Sequence, residues 1–290
     1  MSQKSAIIFG GSRGIGRLVA ERFIEAGYNV TVAARTRRDI DEINGKQSAQ
    51  AQRIGEGEHR PPSMMGIVAD ITNYWNVRAV VTSHIDRWGR LDVAIDAAGV
   101  QDPIGPVWRN DPQAWQQTIS INLVGAFYVC HEVMPYFLNK RKGAIILFSG
   151  GGAAHARPYF SAYGCGKTGV LRLAETLQAE IDQEPGYKGK IVAYAIAPGA
   201  VKTQMTEQVL ACRDAAGAKA CEEAADVMET GGTPPEKAAE LCLYLAEKRP
   251  RCLSGRLIHV NEPYRDYVAQ FEGKDVGDSG LLRRQPYRVK

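Results

Sequence analysis

Short apolar runs alternate with segments of helical period along almost the whole chain, and that alternation limits the folds open to it. Strand-like runs lie at residues 5–9, 29–34, 64–69, 91–97, 143–149, 190–197 and 256–260. Helix-like segments separate most of them, at 15–26, 73–88, 111–138, 160–183 and 234–248. The first repeats its apolar residues at Ile15, Leu18, Val19, Phe23 and Ala26, which is a helical spacing. Asp111-Pro112 reads as an N-cap followed by proline at the first helical position. A strand that passes through a helix into the next strand makes a right-handed β-α-β unit, and a series of them makes a parallel sheet. Runs such as Ala144-Ile145-Ile146-Leu147-Phe148 are apolar throughout, as a strand covered on both faces must be.

Composition removes several alternatives. The chain has 290 residues, 44% hydrophobic and 23% charged, which excludes disordered, collagen-like and low-complexity chains. Its length suits two domains or one large α/β domain. A net charge of +4 is too small to argue for a nucleic-acid or membrane-surface partner. No apolar run reaches the roughly 18 residues of a membrane span. The N-terminus has no signal-peptide pattern, so free thiols in a reducing, cytoplasmic setting are expected of the six cysteines. Cys212 and Cys221 share one loop-like segment and are the pair best placed to join. His59, His84, His131, His155 and His259 are scattered without ligand spacing, and no metal site is expected.

Three stretches break the alternation. Residues 45–62 read as a surface loop. Residues 204–233 are long and rich in Ala and Glu, with some helical character. The tail from Asn261 has little periodicity and ends with Arg283, Arg284, Arg288 and Lys290; it reads as a surface tail or a strap on a neighbouring subunit.

Gly10-Gly11-Ser12-Arg13-Gly14-Ile15-Gly16 follows the first strand and opens the first helix. Backbone N–H groups at such a turn can face a pyrophosphate, and the helix dipole favours its charge. Glycine lets the chain turn tightly and approach closely. Tyr163-Gly164-Cys165-Gly166-Lys167 places a phenol and an ammonium at i and i+4, on one helix face. A free tyrosine titrates near pKa ~10. A neighbouring cation lowers that value, and a tuned tyrosine exchanges a proton with a carbonyl or alcohol oxygen.

With these residues in this order, the chain resembles the short-chain dehydrogenase/reductase family, of its shorter type, over about residues 5–262. The resemblance implies one Rossmann-type, doubly wound domain (1–262) with seven parallel strands in the order 3-2-1-4-5-6-7 and helices on both faces, followed by a C-terminal tail (263–290). The family's T-G-x-x-x-G-x-G is matched with Phe9 in place of threonine, which assigns Gly10, Ser12, Arg13, Gly14, Ile15 and Gly16 to the cofactor. Asp70 and Ile71 match the family's acidic site near the adenine. Asp96-Ala97-Ala98-Gly99 matches its N-N-A-G, with Asp for the first Asn. Pro198-Gly199-Ala200-Val201-Lys202-Thr203 matches its P-G-x-V-x-T, which brings Pro198, Gly199, Val201 and Thr203 to the nicotinamide.

The second strand ends Val32-Ala33-Ala34-Arg35-Thr36-Arg37-Arg38. A ribose 2′-OH is best met by a carboxylate at that strand end, a 2′-phosphate by arginine. Ala34 supplies no acid, while Arg35 follows directly and Arg13 sits in the glycine turn, so NADP(H) is the expected cofactor. Arg37 and Arg38 read as the start of a solvated helix.

By the resemblance, Tyr163 exchanges the proton on oxygen, and Lys167 holds the ribose and tunes Tyr163. Asn122 holds a proton-relay water, and Ser149 fixes the substrate oxygen. Ser149 stands fourteen positions before Tyr163. The commoner family spacing is one shorter and falls on Gly150, so Ser149 serves only if the glycine-rich loop absorbs the extra residue. An amide such as Asn122 in an apolar helix must in any case find hydrogen-bond partners. His155, Trp108, Tyr159, Phe160 and residues 204–233 are candidates to shape a substrate pocket. The expected activity is hydride transfer between NADP(H) and a small-molecule carbonyl or secondary alcohol, with reduction favoured. A non-redox lyase or epimerase of the same family and an NADP-sensing binding protein are the alternatives. The apolar girth of residues 121–129 and the glycines Gly164, Gly166 and Gly169 suit the family's pairing of these helices in a homodimer or homotetramer.

Overall fold

The computed structural model describes residues 3–53, 61–274 and 276–283. Seven strands form one parallel sheet: β1 (Ser5–Phe9), β2 (Asn29–Ala34), β3 (Met64–Val68), β4 (Val93–Asp96), β5 (Gly143–Phe148), β6 (Ile191–Ala197) and β7 (Leu257–His259). Their order is β3-β2-β1-β4-β5-β6-β7, as the resemblance implied. The strand order reverses between β1 and β4, which opens a crevice at the carboxyl ends of those strands.

Successive side chains of a strand point to opposite faces, and the sheet uses both. Ala6 and Ile8 of β1, with Ala144 and Ile146 of β5, join one core cluster. Against it pack α1 (Gly14–Glu25), the start of α2 (Arg37–Arg53) and α10 (Glu236–Lys248). Ile7 and Phe9, with Ile145 and Leu147, join a second cluster on the other face. That face carries α3 (Tyr74–Trp88), α5 (Gly125–Lys140) and α6 (Ser161–Gln183).

The long apolar helix is continuous but not uniform. α4 (Pro112–Ile119) is capped by the Asp111 side chain, which accepts the Ala114 N–H at 2.8 Å. It widens into a π-helical turn at Ser120–Val124 before running on as α5. The π turn projects Asn122 toward α6, and α6 meets it closely. A Cβ on Gly166 would lie 2.9 Å from the Asn122 Cβ, and one on Gly169 would lie 2.7 Å from Leu123. Those two glycines therefore serve packing within the chain, where the sequence suggested contact with another subunit. Pro112–Lys140 is long and apolar enough to cross a membrane, yet in this fold it lies against the sheet between β4 and β5.

Three stretches differ from the sequence reading or extend it. α2 continues to Arg53, so the first part of residues 45–62 is helical. It is polar along most of its length, and Ile40 and Ile43 are too few apolar anchors to show a period. Residues 204–233 fold as α7 (Gln204–Ala211), α8 (Arg213–Ala216) and α9 (Ala218–Thr230). Beyond residue 262 the chain forms α11 (Tyr264–Phe271), whose Tyr267, Val268 and Phe271 pack on the first core. The chain after it returns beside β7 without forming a strand, and there the Leu257 N–H donates to the Gly280 carbonyl at 2.9 Å and Arg283 pairs with Glu175. The tail is thus bound to its own subunit as far as Arg283; Arg284, Arg288 and Lys290, like His59, lie outside the described residues. All six cysteines, Cys212 and Cys221 among them, are free thiols.

Candidate active site

A cavity of about 430 Å³ opens at the carboxyl ends of the strands on both sides of the β1–β4 crevice. At one end stands the glycine turn. Arg13 precedes α1 with extended backbone and no side-chain cap, so the first-turn N–H groups have no partner from within the helix or from a cap. Gly14 has a φ of +54°, and nothing lies within 4 Å of where its Cβ would be, so the backbone faces open space. Gly16 is required for a different reason: its Cβ would meet the Gly10 carbonyl oxygen at 2.3 Å. An uncapped helix start bordered by bare glycine is a cradle for an anionic group, and a dinucleotide pyrophosphate fits it.

The far end of that cradle is lined by Ala34, Arg35, Thr36 and Arg13. Arg35 is exposed. Arg13 reaches across the cavity, donating from Nη1 to the Gln204 side chain at 3.1 Å, and so joins the glycine turn to the first residue of α7. Ser12 donates to Asp39 of α2 at 3.2 Å. Neither Gln204 nor Asp39 was singled out in the sequence, because both act through contacts distant along the chain.

At the other end Ala97, Ala98, Gly99, Tyr163, Lys167, Pro198 and Thr203 meet around the same cavity, with Ile71 on its wall. Four expected residues do not line it. Asp70 spends its Oδ1 on the backbone and hydroxyl of Thr72. Gly199 is pressed against Thr233, where a Cβ would approach within 2.5 Å, and Val201 is buried beside Gly232. Asn122 is buried, with both amide atoms hydrogen-bonded: Oδ1 accepts the Val100 N–H at 2.9 Å and Nδ2 donates to the Val100 carbonyl at 2.8 Å. It ties the loop after β4 to the π turn, which packs on Gly166 of α6. Val100, Phe148, Met205 and Gln208 also line the cavity. His155 does not line it, and Trp108 is 82% exposed. Phe160 is buried with Val209, Ala216 and Ala224, a small cluster that ties α7–α9 to the start of α6 and touches Tyr163.

Burial governs the ionisation of the site. Lys167 is 4% exposed, and its ammonium donates to the Phe148 carbonyl at 2.7 Å. Desolvation lowers its pKa to about 8, against the opposing pull of Asp96. Asp96, 3% exposed at the end of β4, accepts the Ala98 N–H at 3.0 Å. Burial raises its pKa to about 7, although Lys167 and that N–H act to lower it. Tyr163 is raised above the usual phenol value by burial, and the cation that opposes the rise is Arg157, which also stacks on Phe160 at 3.9 Å. The sequence suggested Lys167 as the group that tunes Tyr163 downward. Here the Lys167 ammonium is turned to the Phe148 carbonyl, and the cation whose charge lowers Tyr163 is Arg157.

Ser149 and Gly150 resolve the spacing question in an unexpected way. Ser149 lines the cavity, but its hydroxyl donates to the Lys167 carbonyl at 2.9 Å. The residue opposite the Tyr163 hydroxyl is Gly150.

The sequence profile of the short chain dehydrogenases matches residues 4–213. The chain belongs to that family. It is 28% identical over 278 residues to the short chain dehydrogenase pigC of Monascus ruber, spanning 96% of this chain and 85% of that protein. It is 26% identical over 260 residues to the 3-oxoacyl-[acyl-carrier-protein] reductase FabG of Thermotoga maritima, spanning 89% of this chain and 96% of the reductase. Among solved structures, the KRED1-Pglu enzyme superposes with a TM-score of 0.76 at 23% identity, over 88% of this chain and all of that one. The actinorhodin polyketide ketoreductase with NADPH superposes with a TM-score of 0.75 at 23% identity, over 90% of this chain and 97% of the ketoreductase. At those identities the likeness is one of fold. The family membership makes this short-chain dehydrogenase fold that of an oxidoreductase with a nicotinamide cofactor.

Proposed function

We propose that the protein is an NADP(H)-dependent reductase of a small-molecule ketone or aldehyde, with Tyr163 as proton donor. The observation that carries the reading is one continuous cavity with the uncapped start of α1, Arg13 and Arg35 at one end and Tyr163 with Lys167 at the other. Arginine's planar fork matches a 2′-phosphate, and Ala34 leaves no carboxylate at the strand end to favour a bare ribose. When bound, the nicotinamide supplies the hydride to the carbonyl carbon.

The chain's own residues supply the rest. As the carbonyl oxygen gains the electron pair of its C=O bond, Tyr163 gives it the phenolic proton. Burial raises the Tyr163 pKa, so the phenol is protonated at neutral pH, which is the state reduction requires. Lys167 has three N–H donors and spends one on Phe148, which leaves two for a ribose. Asn122 holds the loop that carries Gly99 and Val100 in place beside that ammonium. The FabG and actinorhodin ketoreductase likenesses support a carbonyl substrate.

A second copy of the chain is the expected partner. Trp75 is 65% and Phe127 48% exposed, and both belong to an aromatic group with Tyr74, Tyr128 and His131 on α3 and α5. Light scattering of the eluted protein should give the mass of a dimer or tetramer, and a monomer would refute this part.

The test is loss of NADPH absorbance across a panel of ketones and aldehydes, with NADH in parallel. Turnover with NADPH well above that with NADH supports the reading. A preference for NADH overturns the cofactor assignment. Substrate conversion with no net change in cofactor selects a lyase or epimerase, and cofactor binding with no conversion of any carbonyl favours a sensor.

A further inference from the structure

Gly150 is not a glycine for the sake of its backbone. Its φ of 176° is extended chain that any residue adopts. A side chain there would displace Tyr163: a Cβ on Gly150 would lie 2.3 Å from the phenolic oxygen and 3.3 Å from Cζ, so the ring would have to shift. Gly152 continues the same wall, with its Cβ position 3.3 Å from Cε1 of that ring. The phenol therefore lies along bare main chain and fills the space a residue at 150 would use.

The neighbouring hydroxyl does not replace the missing one. Ser149 is buried, and a serine has one proton to donate. That proton goes to the Lys167 carbonyl. Donation to a substrate oxygen would require that bond to α6 to break. The contact instead ties the end of β5 to α6 at the turn that presents both Tyr163 and Lys167.

We propose that this site holds and protonates the substrate oxygen through Tyr163 without a serine partner, that Gly150 is the residue admitting the phenol to this position, and that Ser149 is a positioning residue for Lys167. The proposal rests on the reading of Tyr163 as proton donor. Its step balances within that reading: a bound nicotinamide would supply the hydride, the phenolic O–H bond breaks, the new O–H bond forms on the substrate oxygen with the freed C=O electron pair, and the tyrosinate left behind recovers a proton from solvent before the next turnover.

The experiment compares wild type with Ser149→Ala, Gly150→Ala, Gly150→Ser and Tyr163→Phe, using NADPH and the ketone of highest turnover. NADPH fluorescence reports cofactor binding, and thermal melting reports folding. Ser149→Ala should keep kcat within about threefold of wild type while raising KM for NADPH severalfold, the signature of a positioning role. Gly150→Ala and Gly150→Ser should each lower kcat by about tenfold or more, with NADPH still bound. The proposal is overturned if Ser149→Ala loses as much kcat as Tyr163→Phe at an unchanged melting temperature. It is equally overturned if Gly150→Ser exceeds wild type. A wild type inert toward every ketone, or a Tyr163→Phe variant as active as wild type, refutes the reductase reading itself and is told apart by those controls.

Discussion

Two aspartates flank strand β4, and their surroundings differ. Asp92, just before the strand, accepts the Ser5 N–H at 2.9 Å and two bonds from Arg90 at 2.6 and 2.8 Å. Beside it His84 is enclosed. The Ser5 hydroxyl donates to the Arg90 carbonyl, so the His84 Nε2–H donates to Ser5 Oγ at 3.0 Å, and Nδ1 accepts from Thr31 at 2.7 Å. Trp88 donates to the same Thr31. Asp96, at the other end, has one backbone donor and a buried ammonium nearby, next to a cavity. The first cluster is closed, so its chemistry is spent on holding β1, β2, α3 and β4 together. The second lies behind the cavity wall, and its neighbour Lys167 lines the cavity itself. A buried polar group tells of stability where it is enclosed by its partners and of function where it acts on a charge that faces a cavity.

The sharpest way to break that comparison is to open the closed cluster. His84→Ala should lower stability by about 2–3 kcal/mol, because buried partners lose their bonds, while the kcat of the folded protein stays unchanged. Chemical denaturation with a parallel assay checks it, and a loss of kcat without loss of stability would contradict it. The same residue gives a pH signature. Burial lowers the His84 pKa from 6.5 to about 4. Between those values the unfolded chain binds a proton that the folded one refuses. Stability is therefore full above pH 6.5 and is lost as pH falls toward 4, by up to about 3 kcal/mol. In His84→Gln that slope should flatten.

A smaller effect is expected at the cofactor end. Arg35→Ala should raise KM for NADPH by about tenfold and leave that for NADH within about twofold, since one charge-assisted phosphate contact is worth roughly 1.5–3 kcal/mol. Equal effects on both cofactors would remove the 2′-phosphate role.

The smallest change sharpens the open cluster itself. Asp96→Asn keeps the acceptor for the Ala98 N–H and removes only the charge. The groups that feel Asp96 are Lys167 from α6 and Cys130 from α5. An ionised Asp96 favours the Lys167 ammonium, so its loss should move the alkaline limb of the kcat profile, set by Lys167 near 8, toward lower pH by roughly one unit. An unmoved limb would show that Asp96 is structural, like Asp92.

Much of this was legible in the sequence. The alternation of strands and helices, the glycine turn and the pairing of Tyr163 with Lys167 on one helix face follow from patterns and spacings that act locally, and the strand order follows from the family resemblance those residues carry. The helical half of residues 45–62 was not legible, because α2 is too polar to show a period. The one-residue offset between Ser149 and Gly150 was visible, but not which of them stands opposite Tyr163, since three successive glycines accept more than one path for the chain. The acid at Asp96 was visible, but its meaning depends on α6 carrying Lys167 to the end of β4. The bridge from Arg13 to Gln204 joins residues far apart in sequence, and no local pattern records it.

The most direct test of the account is a single turnover of prebound NADPH on a reducible ketone at pH 7, wild type against Tyr163→Phe. The account predicts that both bind NADPH with similar affinity and that the variant oxidises it about 10³-fold more slowly, the range for loss of a positioned proton donor. A variant that oxidises NADPH within about threefold of wild type would contradict it, because the proton would then come from elsewhere.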